Sequence, residues 1–385
     1  MSRKTVFLME YPIDLPGGGQ VSTKTLCEGL MGSEYEPVVI CPKLLKPSES
    51  RYPFKVLTYP SFENREDKLP KRIINFALRM RAFYRLICEE KPDIVHVSMS
   101  ESLLTYGLIR GRKKLRDIPF VYTDRGLCYG YRSHTKFLMR RILKHAAAMI
   151  CTTSFNRSLW EKEELPVKIR VIHNTIGNAF SAYDEDKRNR LRKEKGLTES
   201  DLVIGFAGRI SEEKDWDLVP VLVKKLKEAG ISFKVALVIS VYENKDTEIV
   251  NGIKKGITDA ISEDCLIYMQ DLSQEDMADY YYLVDVFVMS SMFESFGKAA
   301  VEAMSRKCSV VSTSVGGLTE VIGKEDNLYT KDDLTKFTER IKKLYNDRGE
   351  LDKDREFFYE RYRENFTPDI HIKRHIGLYD EVLSR

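Results

Sequence analysis

Four charged side chains in the second half of the chain sit where phosphate and hydroxyl chemistry could be done. In GFAGRISEEKDWD, Arg209 lies just past a strand end and Lys214 five residues later, about where the next helix begins. Two cations at a strand-to-helix turn can neutralise a diphosphate without a metal ion. A pair of ordinary surface cations is the competing reading in so charged a chain. Glu294 and Glu302 are separated by seven residues within SSMFESFGKAAVEAMSRKCSVVSTSVGGLTEV, Ser290 to Val321. That spacing alone carries nothing, but its frame does: the strand DVFVMS, then FESFG, then an Ala-rich helix containing Glu302. If the helix opens near Gly297, Glu302 lies about 7–8 Å along its axis. That is comparable with the reach from a nucleotide's phosphates to its ribose. The helix N-terminus then faces phosphate, and Glu302 accepts hydrogen bonds from ribose hydroxyls.

A second phosphate candidate stands near the N-terminus, in DLPGGGQVSTKT (Asp14 to Thr25). Counting from Gly18, four residues precede Thr23-Lys24-Thr25, close to a nucleoside-triphosphate P-loop. Thr23, however, stands where the second glycine belongs, and the backbone there favours glycine. Backbone N–H groups of Gly17, Gly18 and Gly19 at the start of a helix suit an anion. A tight turn without a ligand would need the same glycines.

These residues are set in short apolar runs that alternate with amphipathic ones. TVFLMEY, EPVVIC, DIVHVS, PFVYTD, AMICTT and IRVIHN read as strands in the first half; LVIGFAG, KVALVIS, CLIYMQ, DVFVMSS and SVVSTS repeat the habit in the second. Helical patterns cover Ser22 to Leu30, Leu69 to Glu89, Trp216 to Ala229, Asp276 to Leu283 and Lys298 to Arg306. The fold class is α/β, with two doubly wound parallel-sheet, Rossmann-like domains in tandem. The break falls in the charged, strandless stretch from Asn178 to Ser200. We expect domains over residues 1–180 and 181–365, with a final helix over 366–385. Ligands in such folds lie beyond the carboxyl ends of the strands, so with two facing domains those loops line one cleft.

Composition is that of an ordinary globular protein, 43% apolar and 31% charged. No run approaches membrane-spanning length, and no secretory leader is evident. Seven scattered cysteines with no CxxC pair argue for free thiols in a reducing compartment, so a cytoplasmic location is expected. Residues 1–180 carry 30 Lys and Arg against 18 Asp and Glu, or +12; residues 181–385 carry 32 against 40, or −8. The first half is therefore expected to meet an anionic partner. His96 and His173, at strand ends, read as packed structural residues; His134, His145, His371 and His375 lack metal-ligand spacing.

PGGGQ, KPDIVHV, VIHNTIGNAF, GRISEEK, the Glu294/Glu302 block and GGLTEVI together resemble the family-4 retaining glycosyltransferases of the GT-B fold, over nearly the whole chain. The resemblance implies a nucleotide-sugar donor held mainly by the second domain, an acceptor held mainly by the first, and closure of the cleft between them. It places Arg209 and Lys214 on the donor diphosphate, Glu302 on the ribose and Glu294 on the donor sugar. The backbone of Ser295, Phe296, Gly297 and Lys298 would lie against sugar and phosphate, with Gly18 and Gly19 approaching the diphosphate from the other domain. It also implies that the final helix crosses back to the first domain. The opening loop is then a phosphate loop, but not a P-loop. Asp215-Trp216-Asp217 matches the Asp-x-Asp metal motif of another glycosyltransferase fold, yet it reads as the acidic first turn of a helix.

The chain departs from the family in places. Thr123-Asp124-Arg125 stands where Thr-x-His is usual; Ser290 replaces a proline; Lys307 and Ser309 replace a glycine and a proline. Asp124 is a candidate to accept a hydrogen bond from the acceptor hydroxyl or to orient the donor sugar, and Arg125 to bind acceptor phosphate; an internal salt bridge between them is the alternative. The expectation is metal-independent, retaining transfer of a hexose-type sugar, UDP-sugar favoured, with no cofactor. The leaving phosphate would orient or deprotonate the acceptor hydroxyl on the same face. The acceptor would be a glycan or lipid-linked anionic molecule, in cell-surface polysaccharide or glycolipid synthesis. In KRIINFALRMRAFYRLI, Ile73, Phe76, Ala77, Met80, Phe83, Tyr84 and Ile87 share one arc, with Lys71, Arg72, Arg79, Arg81 and Arg85 on the remainder. RGRKKLR and KFLMRRILKH add charge, and the whole suits a peripheral enzyme on an anionic membrane surface. No nucleic-acid motif appears. A catalytically silent relative that binds glycan or supports a partner transferase is the competing class.

Overall fold

The computed structural model describes residues 2–15, 17–48, 51–60, 68–180, 182–241 and 246–384. The chain forms two compact units: residues 1–177 together with 368–385, and residues 178–367. In unit 1, β1 (Arg3–Leu8), α1 (Gly18–Leu30), β2 (Tyr35–Pro42), β3 (Lys55–Tyr59), α2 (Leu69–Glu90), β4 (Ile94–Ser98), α3 (Ser100–Ile109), β5 (Phe120–Asp124), α4 (Ser133–Leu143), β6 (Ala148–Cys151), α5 (Ser154–Glu161) and β7 (Ile169–Val171) follow in order. Unit 2 runs α6 (Glu185–Glu194), β8 (Val203–Arg209), α7 (Leu218–Glu228), β9 (Lys234–Ser240), α8 (Asp246–Thr258), β10 (Leu266–Gln270), α9 (Gln274–Leu283), β11 (Val286–Met289), α10 (Lys298–Ser305), β12 (Ser309–Thr313), α11 (Leu318–Ile322), β13 (Leu328–Tyr329), α12 (Leu334–Asn346) and α13 (Arg348–Asn365). The last helix, α14 (Pro368–Leu383), belongs to unit 1.

Both sheets are parallel, as the continuous apolar strands require. Their orders are β3-β2-β1-β4-β5-β6-β7 and β10-β9-β8-β11-β12-β13. In each, the connection reverses direction beside the first strand of the unit. That puts topological switch points at the carboxyl ends of β1/β4 and β8/β11, where doubly wound folds bind ligands. Alternation along the strands divides unit 1's core in two. Val6, Leu8, Val95 and Val97 pack with Phe83, Tyr106, Met139 and Trp160 of α2 to α5. Phe7, Val39, Val121 and Ile150 pack with Leu26 and Leu30 of α1 and Leu378, Tyr379 and Val382 of α14.

The charged stretch read as strandless spacer carries α6. Asp184 caps it by accepting the Lys187 N–H at 3.0 Å. Arg188 and Arg192 are buried, with both guanidiniums on Asp285 at 2.5 and 3.1 Å. These two of the segment's charges are structural, while most of the others, Arg190 and Glu194 among them, face solvent.

His96 of β4 lies under α14. Its Nδ1 is 2.6 Å from the Tyr379 hydroxyl and its Nε2 2.7 Å from Thr123 Oγ1. His375 stacks on it at 5.7 Å between centroids, and His371 lies 4.4 Å from His375. Burial, aided by mutual repulsion and the Arg125 charge, drives His96 and His371 well below the ordinary imidazole range; burial first, then Arg125, brings His375 down to about 4. Because the folded values lie below the unfolded one, the unfolded state binds more protons across this window. The docking of α14 is therefore at full strength above pH ~6.5 and weakens as pH falls toward 4, with His375 alone contributing on the order of 3 kcal/mol. Hydrogen exchange should show α14 losing protection between pH 7 and pH 5, after correction for intrinsic rates, while α13 keeps its own. Equal changes in both helices would refute the coupling.

Candidate active site

At the switch point of unit 2, two loops are knitted together by backbone. The Ser290 hydroxyl donates to the Lys214 carbonyl at 2.7 Å, and the Met292 N–H donates to the Glu213 carbonyl at 2.8 Å. This holds Lys214 Nζ 2.8 Å from Glu294 Oε2, each side chain about one-fifth exposed, at 21%. The loop carrying Glu294 is fixed from behind by Gly316 and Gly317. The Gly317 N–H donates to the Glu294 carbonyl at 2.8 Å, and Gly316, at φ 53°, has that same oxygen where a β-carbon would sit, 2.2 Å away. Gly297, at φ 92°, opens α10 with a conformation that only glycine adopts cheaply.

Glu302 follows one turn into α10. Tyr281 donates its hydroxyl to Glu302 Oε2 at 3.2 Å, and Lys298 Nζ lies 3.6 Å from Oε1. Burial raises the carboxyl's pKa, while Lys298, the Tyr281 hydroxyl and the Lys214 charge oppose the rise. Arg209 is exposed at the end of β8, 3.9 Å from Glu213. The Phe296 ring is buried edge-on against Phe366, 5.7 Å between centroids, and so anchors the loop from within. Lys214, Glu294, Ser295, Gly297, Lys298 and Glu302 thus share one strand-end loop system, with Arg209 at its rim. Asp215 adopts a left-handed conformation (φ 48°) and pairs with Lys331. Trp216 donates its indole N–H to the Arg209 carbonyl at 2.9 Å, and α7 begins only at Leu218. The expected acidic first turn is instead a fixed corner that aims Lys214.

At the switch point of unit 1, Gly18 and Gly19 lie inside the first turn of α1, which starts four residues earlier than its apolar pattern. A β-carbon on Gly19 would stand 3.1 Å from Arg125 Cδ, so the missing side chain admits Arg125. Lys24 lies 3.9 Å from Glu28 and over the Tyr52 ring, an arrangement unlike that of a P-loop lysine.

Patterns of the family glycosyl transferases group 1 match residues 187–364, and those of glycosyltransferase family 4 match residues 16–177. The chain belongs to the family-4, group 1 glycosyltransferases. An uncharacterized glycosyltransferase of Methanocaldococcus jannaschii is 24% identical over 349 residues, 83% of this chain and 82% of that protein. Among solved structures, sucrose-phosphate synthase from Thermosynechococcus elongatus superposes with a TM-score of 0.82 at 16% identity, covering 99% of each chain. HepE of Anabaena in complex with UDP-glucose gives 0.76 at 15% identity, covering 99% of this chain and all of that one. At such identities the likeness is one of fold, GT-B.

The departures of this glycosyltransferase from its family pattern have local reasons. Ser290 supplies the hydroxyl that binds the Lys214 carbonyl, which a proline cannot. Lys307 adopts φ 55°, where the family's glycine would be unstrained, at a cost of about 1 kcal/mol. Its ammonium lies 2.8 Å from Glu356 and over the rings of Tyr183 and Tyr359. Ser309 donates to the buried Asp354.

Asp124 and Arg125 do not pair. Asp124, wholly buried, accepts from Trp160 Nε1 at 2.6 Å, Asn156 Nδ2 at 2.9 Å, Tyr131 OH at 2.7 Å, Tyr122 OH at 3.3 Å and the Gly126 N–H at 3.4 Å. A carboxylate so filled cannot also receive a substrate hydroxyl, and we assign it the positioning of the loop after β5. Tyr281 and Ser290 were not singled out as binding or positioning groups from sequence. Each acts through a partner distant in the chain, and no spacing rule could have found them.

Proposed function

We propose that the protein is a retaining, metal-independent glycosyltransferase that moves a hexose-type sugar from a nucleotide-diphosphate sugar, UDP-sugar favoured, to a glycan or lipid-linked anionic acceptor. The observation that carries this reading is the Lys214–Glu294 pair beside Glu302 at the switch point of unit 2. In the free protein Lys214 and Glu294 neutralise each other. On donor binding the diphosphate takes Lys214, with Arg209 at the rim, and the sugar hydroxyls donate to the released Glu294. Glu302, oriented by Tyr281 and Lys298, accepts from the ribose. The backbone of Ser295 to Lys298 and the N-terminus of α10 face sugar and phosphate. The cations offset charge on the departing diphosphate, and the leaving phosphate takes the acceptor proton on the same face. The UDP-glucose complex of HepE, alike in fold, favours uridine as the base.

Calorimetric titration with UDP, GDP and ADP, without added metal, tests the donor site. We expect micromolar binding of UDP, weakened at least about tenfold in Glu302→Ala by loss of charge-assisted hydrogen bonds. No binding of any of the three would leave a silent, glycan-binding or partner-supporting protein as the better reading.

A peripheral membrane location is the second part of the proposal. No described helix is long and apolar enough to cross a membrane. Leu69, Ile73, Ile74 and Leu78 are exposed along α2 among Lys71, Arg72, Arg81 and Arg85, and Phe137 and Leu138 are exposed on α4 beside Arg140 and Arg141. The expected division of α2 is corrected at three positions, Ile73, Ala77 and Arg79; Ala77 is exposed. Ile73 faces out, and Arg79 is buried, donating to Thr105 Oγ1 at 2.9 Å and pairing with Glu101 at 3.0 Å. Mixed aliphatics and cations suit an anionic bilayer surface. Phosphatidylglycerol vesicles should sediment the protein, and the double variant Ile73→Ser/Ile74→Ser should stay in solution; equal sedimentation would remove α2 from the contact.

A further inference from the structure

Unit 1 holds a cation without a counter-ion. Arg125 Nη1 donates to Asn174 Oδ1 at 2.8 Å and Nη2 to Thr23 Oγ1 at 3.2 Å, both neutral acceptors. Its Nε is shut off from solvent and has no hydrogen-bond partner. Among the described residues no carboxylate lies within ion-pair distance of it. The groups around it are neutral: His96, His371 and His375 are held unprotonated by burial, and Tyr379 is held un-ionised. Desolvation, opposed only by Tyr379, pulls Arg125 itself down to about 10. Arg125 is partly exposed as a residue, but an unpaired charge that is even partly desolvated is costly, and native proteins pair such charges or bind something there.

The guanidinium borders a cavity of about 10 Å³ lined by Glu10, Gly19, Thr23, Ser98, Met99 and Arg125, at the switch point between β1 and β4. That volume holds about one water-sized group, one oxygen of a larger ligand. Ser98 is 3% exposed, and its hydroxyl has no partner. Glu10, the one carboxyl on the cavity wall, is lifted by burial and by Glu101 to about 8, so at neutral pH it is a neutral acid. Its Oε2 accepts the Ser102 N–H at 3.1 Å. The first turn of α1 beside the cavity has no side-chain cap and no acidic residue. Met99 is held at φ 70°, ψ 157°, a region costly for any residue but glycine, at the cavity's edge.

We propose that this cavity seats an oxygen of a phosphate group on the acceptor, with Arg125 as counter-charge and the Ser98 hydroxyl as a further donor. The proposal rests on the glycosyltransferase reading only for the word acceptor; the anion site stands on unit 1 alone. It gives a reason for arginine after Thr123-Asp124, and for the space that Gly19 leaves open. An acceptor lacking the anion would leave Arg125 uncompensated, so the site selects for phosphorylated molecules.

Inorganic phosphate, titrated into the full chain at constant ionic strength while thermal unfolding is followed, is the direct probe. The native chain should show saturable stabilisation. Arg125→Gln should weaken the apparent phosphate affinity at least about tenfold. Asn174→Asp, which supplies an internal counter-ion 2.8 Å from Nη1, should do the same with the arginine retained. It should also raise the melting point in the absence of phosphate, which keeps the test decisive if Arg125→Gln fails to fold. Competition by soluble glycerol phosphate would mark a soluble ester as the source. Competition only by phosphatidylglycerol vesicles, not by phosphatidylcholine alone, would mark a lipid headgroup. Phosphate that does not saturate, or that stabilises both variants as well as the native chain, overturns the proposal. UDP titrated into the native chain in the same series separates the two readings: UDP binding without a phosphate site removes only the anion site, and a phosphate site without UDP binding removes only the donor reading.

Discussion

If the proposed donor site holds, replacing Lys214 with alanine should lower the rate of sugar transfer by about 10²–10³-fold, the usual loss when a preorganised charge is removed from a developing anion. The backbone that carries the ammonium is fixed by contacts to its carbonyls: the Trp216 indole on Arg209, the Ser290 hydroxyl on Lys214 and the Met292 N–H on Glu213. It therefore needs little reorganisation as the diphosphate departs. Because the charge on the leaving group grows along the reaction, most of the loss should fall on kcat, with a smaller change in KM. Stability should change little, since the Lys214–Glu294 pair is partly exposed and such pairs contribute about 0–1 kcal/mol. Lys214→Arg should recover part of the rate. The exposed Arg209, 3.9 Å from its nearest carboxylate, should show a smaller effect on substitution. A Lys214→Ala enzyme within threefold of native would show that the leaving group is stabilised elsewhere.

The second large effect belongs to stability rather than rate. Asp124→Ala strands the Trp160 indole and two tyrosine hydroxyls in unit 1 and leaves the Asn156 amide only its bond to the Gly126 carbonyl, and should cost about 4 kcal/mol, at the upper end for one substitution. Asp124→Asn should not rescue it, because its amide NH2 would face donors. A general base would behave otherwise: the asparagine variant would fold normally and turn over slowly. The separating measurements are the unfolding midpoint of unit 1 and the specific activity per folded molecule at low temperature. A normal midpoint with a collapsed rate would return Asp124 to the chemistry.

The doubly wound plan was legible because strand-length apolar runs alternate with 3.6-period segments, and that pattern has few parallel-sheet solutions. β3 was not legible: KVLTY at the sheet edge has a partly exposed pattern that resembles a loop. The Glu294/Glu302 block could be read because β11, its loop and α10 are contiguous. The Tyr281 hydroxyl on Glu302 and the Gly316 backing of Glu294 could not, since those contacts join segments about 20 residues apart. Charge was the least reliable guide. Arg79 was expected on the polar side of α2, and Arg188 and Arg192 in a strandless spacer; all three are buried, because each meets a carboxylate from another segment, Glu101 of α3 or Asp285 just before β11. The pattern around Asp124-Arg125 showed that something differed there, but the identity of Asp124's partners came only with the fold.

The place of α14 in the core of unit 1 bears on how the protein is made. Unit 2 is continuous in the chain, whereas one face of the first sheet waits for Leu378, Tyr379 and Val382. During synthesis that face emerges first and is covered only in part, by α1, while residues 178–367 are translated, roughly ten to forty seconds at ribosomal rates of about 5–20 residues per second. A ribosome that stops before residue 368 therefore releases a finished unit 2 joined to a first sheet with one apolar side left partly open. Such a product is a substrate for chaperones and proteases rather than a shortened enzyme.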